Sequence, residues 1–281
     1  MPELPEVETV RRSLETRLVG RALVGCEVRF PGVLQIDPLV KEPLFPAAFQ
    51  GAGRRGKMLW LELSGGQSLL AHFRMTGAFY FRREGQEPVA HTHVEFPLDD
   101  GDILSFRDPR RFGGLWWLGS GSLFNNPPLA GIGPDALAIR EEEFVSLFQS
   151  KNRMTKPLLL DQHALAGLGN IYVDEILFRA EIHPKQPSDS ISELKLITLW
   201  KLMRETLNEA IGLGGSSIRD FIDSNGVSGR YQEEHLVYRK QETPCTRCGG
   251  PLRRILVAQR GTCYCPKCQK IYRRKKRIRS R

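Results

Sequence analysis

Four cysteines in the last part of the sequence have the spacing of a metal site. Cys245 and Cys248 form one C-x2-C pair, Cys265 and Cys268 form a second, and sixteen residues separate the two pairs. This spacing matches a zinc site, in which four thiolates occupy the corners of a tetrahedron. Because protein ligands fill all four corners, the pattern predicts one structural Zn²⁺ per chain and no open position for chemistry.

The segment between the two cysteine pairs, GGPLRRILVAQRGTCY, has two β-rich arms around Gln259, Arg260 and Gly261. It therefore predicts a zinc-pinned β-hairpin with Arg260 at its tip. A solvated arginine and an arginine that binds a phosphate both fit that position.

A second candidate for chemistry is the first stretch of the sequence, MPELPEVETV. Pro5 suits the first turn of a helix, whereas Pro2 lies too far forward for the helix to need it. The carboxylates of Glu3 and Glu6 stand beside these prolines. The role of Pro2 therefore depends on what the rest of the chain binds.

A third candidate is the Gly-x-Gly-Asn turn in DQHALAGLGNIYVDEILF, between two predicted helices. Asn170 is placed to cap the second helix. Free N–H groups at a helix start also favour phosphate, and Lys156, one helix upstream, adds a positive charge. A plain helix corner and an anion site both fit the motif.

The elements that must position these residues change in kind along the chain. Val7, Val10, Leu14 and Leu18 form one apolar helical stripe, and Gly20 stops that helix. Short β-rich runs separated by Gly, Asp and Pro follow, which is the rhythm of an antiparallel sandwich or barrel.

The second half of the chain is helical by its spacing. A Pro/Gly-rich break at 124–135 precedes helical patterns from 137 to 222. The Gly/Ser/Asp-rich stretch 214–234 is predicted to be a loop. The predicted domains are a β-sandwich at 1–133, a helical domain with its loop at 134–235, a zinc finger at 236–271 and a disordered basic tail at 272–281.

Composition narrows the function less than the motifs do. The chain has 281 residues and a net charge of +9, but the tail RRKKRIRSR at 273–281 holds seven basic residues, leaving +2 for the rest. Basicity alone therefore leaves nucleic-acid binding open. The sequence has neither an apolar run of membrane-spanning length nor a signal peptide, so we expect a cytoplasmic protein.

Taken together, the motifs resemble those of the bacterial formamidopyrimidine-DNA glycosylases, which remove oxidised purines in base excision repair and nick the DNA. The resemblance covers residues 1 to 270 and includes six motifs in order: PELPEVET, RRGK, HFRM, DPRRFG, GLGNIYVDE and the four-cysteine hairpin with QRGT. It implies an α+β multidomain fold, with an N-terminal helix and antiparallel β-sandwich, a helix–two-turn–helix domain and a zinc-finger β-hairpin. The implied partner is double-stranded DNA with oxidised bases or abasic sites, bound by a monomer.

The resemblance also implies a role for each matching residue. Pro2, freed by removal of Met1, is the nucleophile, Glu3 is the acid or base beside it, and Glu6 is a candidate proton shuttle. Lys57 serves proton transfer in β-elimination, and Arg260 serves δ-elimination and phosphate binding. The trio Met75, Arg110 and Phe112 fills the gap left by the extruded base. The full set of predicted DNA contacts is His72, Met75, His91, Arg110, Phe112, Asn152, Lys156 and Asn170.

One implied contact departs from the family pattern. Some members have lysine at the position of Asn152, and an asparagine hydrogen-bonds a phosphate without neutralising it. Lys151 or Arg153 can take over that task.

An N-terminal proline suits the implied reaction. A free α-amino group has a pKa two to three units below that of lysine, so more of it is neutral at pH 7. Because the amine of Pro2 is secondary, its Schiff base is a permanent iminium, which acidifies C2′ and drives elimination of the phosphate.

Two other functions remain open from the sequence. An enzyme of the endonuclease VIII type, which prefers oxidised pyrimidines, shares much of the pattern. A zinc-ribbon nucleic-acid binder without catalysis explains the hairpin and the tail but gives no purpose to Pro2 and Glu3.

Overall fold

The computed structural model describes residues 1–40, 42–217, 224 and 226–272. The described residues pack in two units, one of 1–132 with the described part of 209–233 and the other of 133–208 with 234–272. The packing thus groups the described residues of 214–233 with the sandwich, although the sequence prediction placed them with the helices. The basic tail at 273–281 lies outside the described residues, and the predicted domain limits stay predictions.

The first unit contains the predicted β-sandwich, which consists of two sheets. The larger sheet has the strand order β1 (Ala22–Leu23), β4 (Ala47–Arg55), β5 (Met58–Leu63), β6 (Gln67–His72), β10 (Gly114–Leu118) and β3 (Leu34–Ile36). The smaller has the order β2 (Glu27–Val28), β8 (Thr92–Pro97), β9 (Asp102–Arg107) and β7 (Ala78–Arg83). Neighbouring strands are antiparallel except β10 and β3, which are parallel. The predicted fold class is confirmed.

The core of this unit lies between the sheets because alternate residues of each strand point inward. Leu59 and Leu61 of β5 belong to the same buried cluster as Phe96 of β8 and Phe106 of β9. Met58 and Trp60 of β5 are also buried, because they pack with Leu129 and others in a second cluster, whereas Glu62 is exposed.

The predicted N-terminal helix, α1 (Leu4–Leu18), packs against β4 and β5. Its apolar stripe is confirmed, since Val7, Val10, Leu14 and Leu18 all belong to the sandwich core. The helix begins after Glu3, with proline in the first turn as expected. Gly20 follows the helix in the left-handed conformation, with φ of 76°. The core therefore fixes the direction in which the first residues of the chain leave the sandwich.

The second unit contains the predicted helices and the hairpin. Its helices are α2 (Glu141–Gln149), α3 (Thr155–Leu160), α4 (Asn170–Arg179) and α5 (Glu193–Gly212), and the final turn of α5 is grouped with the first unit. Strands β11 (Arg253–Val257) and β12 (Arg260–Tyr264) form the hairpin. Phe178 of α4 packs in one cluster with Leu252, Cys263 and Cys265, so the hairpin is seated on α4.

Among the residues that the structure describes, none of the helices combines the length and apolar character that crossing a bilayer requires.

Candidate active site

The first residues of the chain are held by a reciprocal pair of hydrogen bonds at the start of α1. The Glu3 N–H donates to Glu6 Oε2 at 2.7 Å, and the Glu3 carboxylate accepts the backbone N–H of Glu6, which completes a capping box. Both side chains are buried. Pro2 directly precedes this box, so its position is tied to the helix end by its neighbour.

Glu6 has a second partner in the segment that follows α5. Its Oε1 accepts the N–H of Ser216 at 2.7 Å. Gly215 has φ of 78°, and a Cβ there would lie 2.8 Å from the same Oε1, so only glycine allows this approach. The carboxylate joins the N-terminal end of α1 to residues 215–216. This geometry favours an anchoring role for Glu6, and the predicted proton shuttle stays a prediction.

Lys57 lies in the turn of the β4–β5 hairpin, between the paired residues Arg55 and Met58. Gly56, the first residue of this two-residue turn, has φ of 60°, which a glycine adopts without strain. The lysine side chain is buried rather than exposed to solvent. The hairpin therefore presents one cationic side chain at a fixed point of the larger sheet.

His72 ends β6 directly across from Met58, one residue from Lys57. Burial, together with the charges of Arg74 and Lys57, lowers the pKa of His72 to about 3. Its Nδ1 accepts the Arg74 N–H at 3.0 Å, which leaves the proton on Nε2. We therefore predict that His72 contacts DNA as a neutral imidazole that donates a hydrogen bond from Nε2.

The three side chains predicted to fill the gap in the duplex lie on two loops. Met75 and Phe112 expose 42% and 56% of their surface, unlike the apolar residues of the core. The Arg110 guanidinium stacks 4.7 Å from the centre of the Phe112 ring, a cation–π arrangement. Exposed apolar side chains on loops suit insertion into a base stack better than they suit the protein interior.

One buried carboxylate, Asp108, joins these two loops. Its Oδ1 accepts the Thr76 hydroxyl, next to Met75, and the Arg110 N–H at 3.2 Å. Its Oδ2 accepts the Gly113 N–H at 2.7 Å. Because Asp108 is fully buried, each of these bonds forms away from competing water. Both loops are therefore held from a single point.

His91, another predicted DNA contact, is exposed and has a left-handed backbone with φ of 68°. Its carbonyl oxygen accepts the Asp108 N–H at 3.1 Å. His91 thus stands beside the same anchor, on the loop that leads into β8.

In the second unit, Asn170 is the first residue of α4 and Gly169 is its N-cap, so the expected asparagine cap is wrong. The asparagine Nδ2 instead donates to the carbonyl oxygen of Gly261 at 3.0 Å. Its Oδ1 is buried and has no hydrogen-bond partner among the described residues. The side chain therefore links the start of α4 to the hairpin residue next to Arg260.

Arg260 is exposed and begins β12, paired with Val257. The tip of the hairpin is formed by Ala258 and Gln259, with φ of 47° and 59°, so Arg260 lies beside the tip and not on it. A two-residue turn with both central residues in the left-handed region is type I′, which favours Asn-Gly. Two residues with side chains are strained there.

Lys156 is where the structure departs most from the sequence prediction. Its side chain is fully buried, and Nζ lies 2.6 Å from Oδ1 of Asp174, which is 1% exposed. The other oxygen of Asp174 accepts the Cys263 N–H at 3.0 Å. Burial raises the pKa of Asp174 to about 6, and the Lys156 charge opposes that rise. An enclosed lysine cannot reach a phosphate at the surface, so we correct the predicted DNA contact to an internal ion pair.

Asn152 is exposed between the exposed Lys151 and Arg153. Arg153 is paired with Asp161 at 2.7 Å. Lys151 is therefore the better placed of the two neighbours to supply the charge that Asn152 lacks.

The four cysteines of the predicted metal site lie together, with all four Sγ atoms within 4.8 Å of one another. The Cys245–Cys268 and Cys248–Cys265 sulfur distances are 3.9 and 3.5 Å. A tetrahedral ion with metal–sulfur bonds of about 2.3 Å requires sulfurs about 3.8 Å apart. The residues therefore fit a structural metal ion with four thiolate ligands.

Several residues that organise the site had no role in the sequence prediction. They include Glu8, Arg54, Asp108 and Asp174, whose partners lie on other elements. All four had a signal, since they lie within the motifs PELPEVET, RRGK, DPRRFG and GLGNIYVDE, but a charged residue within a motif does not reveal what it binds.

Family models match the sandwich with its first helix, the helical unit and the four-cysteine hairpin: the formamidopyrimidine-DNA glycosylase N-terminal domain at 1–115, the H2TH domain of the same enzymes at 131–222, and the zinc finger found in FPG and IleRS at 243–271. These matches place the chain in the class of the DNA repair glycosylases. It belongs to the formamidopyrimidine-DNA glycosylase family.

Similar proteins extend the match over almost the whole chain. Formamidopyrimidine-DNA glycosylases of Pelotomaculum thermopropionicum and Heliobacterium modesticaldum are 41% and 43% identical, over 96% of this chain and 100% of each relative. A solved Lactococcus lactis FPG variant in complex with Fapy-dG DNA has a TM-score of 0.88 at 36% identity, covering 96% of this chain and all of that one. A MutM structure with carbocyclic 8-oxo-G DNA has a TM-score of 0.86 at 37% identity, with the same coverage.

Proposed function

We propose that this chain is a bifunctional DNA glycosylase and abasic-site lyase that excises 8-oxoguanine and formamidopyrimidines from double-stranded DNA. The observation that carries the proposal is full-length similarity to FPG and MutM structures whose bound DNA contains Fapy-dG or 8-oxo-G. The chain acts as a monomer in the bacterial cytoplasm, in base excision repair.

The first step uses the two ends of the capping box. With Met1 removed, the secondary amine of Pro2 attacks C1′ and the bond from C1′ to the base breaks. Glu3 gives its proton to the departing base or to the opening sugar ring. Glu3 suits this role because its backbone and side chain are both fixed by Glu6, which keeps the acid beside the amine.

The second step breaks the strand. The amine loses its proton and the C1′–O4′ bond breaks, with the proton going to O4′, so that the opened sugar is held as an iminium on Pro2. This iminium withdraws electrons from C1′, C2′ loses a proton, and the C3′–O bond breaks as the phosphate leaves. Lys57 serves this proton transfer from the β4–β5 turn. Arg260 binds the phosphate whose C5′–O bond breaks in the following δ-elimination.

Other residues hold the duplex with its target nucleotide outside the stack. Extrusion costs a few kcal/mol of lost stacking and pairing, which Met75 and Phe112 offset by filling the gap together with Arg110. Asn170, His72 and His91 hydrogen-bond the strand.

The metal ion of the four-cysteine site is Zn²⁺. Four thiolate ligands leave it no open position, so the ion supplies structure and no catalytic chemistry. Cys245, Cys248, Cys265 and Cys268 hold the hairpin, and the hairpin presents Arg260.

Borohydride trapping on duplexes with 8-oxoguanine tests this proposal, because reduction makes an amine–DNA Schiff base permanent. Wild type should form a covalent adduct, Glu3→Gln should form much less, and a variant that retains Met1 should form none. Pro5→Ala, which alters the other proline of the same stretch, is the control and should behave as wild type.

Two results would contradict the proposal. Absence of an adduct with wild type would refute the amine mechanism, and binding without any cleavage would indicate the non-catalytic zinc-ribbon protein. On matched duplexes, faster removal of thymine glycol than of 8-oxoguanine would replace the substrate by that of the endonuclease VIII type.

A further inference from the structure

The residues proposed for catalysis in the first unit lie on separate elements. Pro2 and Glu3 precede α1, whereas Lys57 is in the turn between β4 and β5. Strand pairing fixes the turn within the larger sheet, so its position relative to α1 depends on the contacts between the helix and that sheet. A reaction that needs both groups requires that the turn be fixed relative to the helix, since misplacement by about 1 Å can reduce a rate about 100-fold.

Glu8 of α1 is the carboxylate that reaches this hairpin. It is buried, and both of its oxygens accept hydrogen bonds from guanidinium groups. Oε1 accepts Arg12 Nε at 2.9 Å and Arg11 Nη2 at 3.1 Å, and Oε2 accepts Arg11 Nε at 3.1 Å and Arg54 Nε at 3.0 Å. Two of these arginines belong to the helix itself, and the third belongs to β4.

Arg54 connects this carboxylate to the turn. Its Nε donates to Glu8, and its Nη1 donates to the carbonyl oxygen of Gly56 at 3.0 Å. Gly56 is the residue directly before Lys57. A planar guanidinium has donors fixed along separate edges, so the side chain holds helix and turn at a set distance.

Arg11 adds a second contact between the same two elements. Besides binding Glu8, its Nη1 donates to the carbonyl oxygen of Ala52 in β4 at 3.1 Å. The helix is thus bound to the hairpin at two places along β4, which opposes rotation of the hairpin as well as translation.

The charge state of Glu8 is secured by its partners. Burial disfavours the ionised carboxylate, but hydrogen bonds from Arg11, Arg12 and Arg54 outweigh it and lower the pKa of Glu8 to about 2. The carboxylate therefore stays ionised at neutral pH and acts as an acceptor towards all three arginines.

We propose that Glu8 and Arg54 are positioning residues for Lys57, holding the β4–β5 turn in register with the helix end that carries Pro2 and Glu3. This inference rests on the proposed function. Neither residue touches the DNA in this role; they act through the backbone of Gly56.

Glu8→Gln and Arg54→Lys test the proposal. The glutamine turns an N–H₂ group towards an arginine, and the lysine keeps the charge of Arg54 but cannot reach both acceptors at once. Asp100→Asn is the matched control in the same unit, because Asp100 pairs with Arg21 at 2.5 Å, away from the contacts of Glu8, Arg11 and Arg54.

The measurement uses duplex DNA with an abasic site, so that adduct formation and strand cleavage are followed separately. We expect both variants to cleave at least about tenfold more slowly than wild type, while the adduct trapped by borohydride forms within about twofold of the wild-type rate. Binding to a duplex with an uncleavable abasic analogue and the midpoint of thermal unfolding are measured alongside. Asp100→Asn should match wild type in every measurement.

Three outcomes would overturn the proposal, and they are distinguishable. Wild-type cleavage by both variants would show that the link does not position Lys57. Equal loss of adduct and cleavage, in proportion to lost folded protein, would show a purely structural role. If wild type itself forms no adduct, the proposed function fails and this inference fails with it.

Discussion

The substitution Lys156→Met distinguishes between two hypotheses for the role of Lys156. The sequence predicts that Lys156 contacts DNA, whereas the structure pairs it with Asp174 at 2.6 Å in the interior of the second unit. A lysine that contacts a DNA phosphate contributes to DNA affinity and to the salt dependence of that affinity. An internal partner contributes to folding and leaves the salt dependence unchanged.

The structure sets the size of the expected effect. Removing Lys156 leaves the Asp174 carboxylate buried without its cation, which destabilises a protein by about 3–5 kcal/mol. For a unit of this size that corresponds to a fall in melting temperature on the order of 10 °C. Loss of a phosphate contact would instead reduce the slope of log K against log salt concentration by about 0.9.

The assay combines thermal unfolding of the full chain with binding to a duplex that carries an uncleavable abasic analogue, titrated over a range of salt concentrations. Lys151→Met is the matched control, since Lys151 is an exposed lysine of the same unit. It should keep the melting temperature and flatten the salt dependence. Lys156→Met should do the reverse.

A double variant tests whether the cost arises from the unpaired charge. In Lys156→Met with Asp174→Asn, the asparagine oxygen still accepts the Cys263 N–H, and no buried charge remains. Most of the lost stability should return. A wild-type melting temperature together with a flatter salt dependence in Lys156→Met would refute the internal pairing.

Four further expectations follow from the geometry. Phe112→Ala should leave the melting temperature unchanged, because the ring is exposed, and weaken binding to an abasic duplex by about 1–3 kcal/mol in a fluorescence titration. Gln259→Gly should raise the melting temperature by relieving about 1 kcal/mol of left-handed strain, with cleavage retained. Chelation should release one zinc ion per chain, seen by metal analysis, and abolish DNA binding before the sandwich unfolds. The pKa of Glu8 lies near 2, below its unfolded value of about 4.3, so the stability it contributes is complete above pH 4.3 and lost as the pH falls through 2. Acid unfolding of Glu8→Gln should therefore be less steep than that of wild type.

The sequence predicted most of what local spacing determines. The stripe Val7, Val10, Leu14 and Leu18 identified α1, because one face of a helix follows a fixed period. The two C-x2-C pairs identified the metal site because the two cysteines of each pair are only three residues apart, so their spacing is visible in the sequence. Alternation in the β-rich runs identified a sandwich but not its strand order, because pairing between distant strands leaves little trace in a single sequence.

The sequence prediction failed where a side chain's partner is remote. Lys156 looked like a surface cation because nothing near it in sequence shows that Asp174 will enclose it. Asn170 looked like a cap because its residue type suits one, yet the approach of Gly261 gives it another acceptor. Arg260 was placed at the tip because a turn without glycine or asparagine at 258–259 gives no signal. The assigned roles of the site residues stay predictions.

The shared anchor at Asp108 has a consequence for how this surface can change during evolution. One carboxylate accepts hydrogen bonds from Thr76 on one loop and from Gly113 on the other. A substitution that shifts this carboxylate in either loop therefore changes the position of both loops. Exchanging only one loop with a relative should therefore give a weaker enzyme than exchanging the two together, a case of epistasis built into a single side chain. We therefore expect Met75 and Phe112 to co-vary among related enzymes.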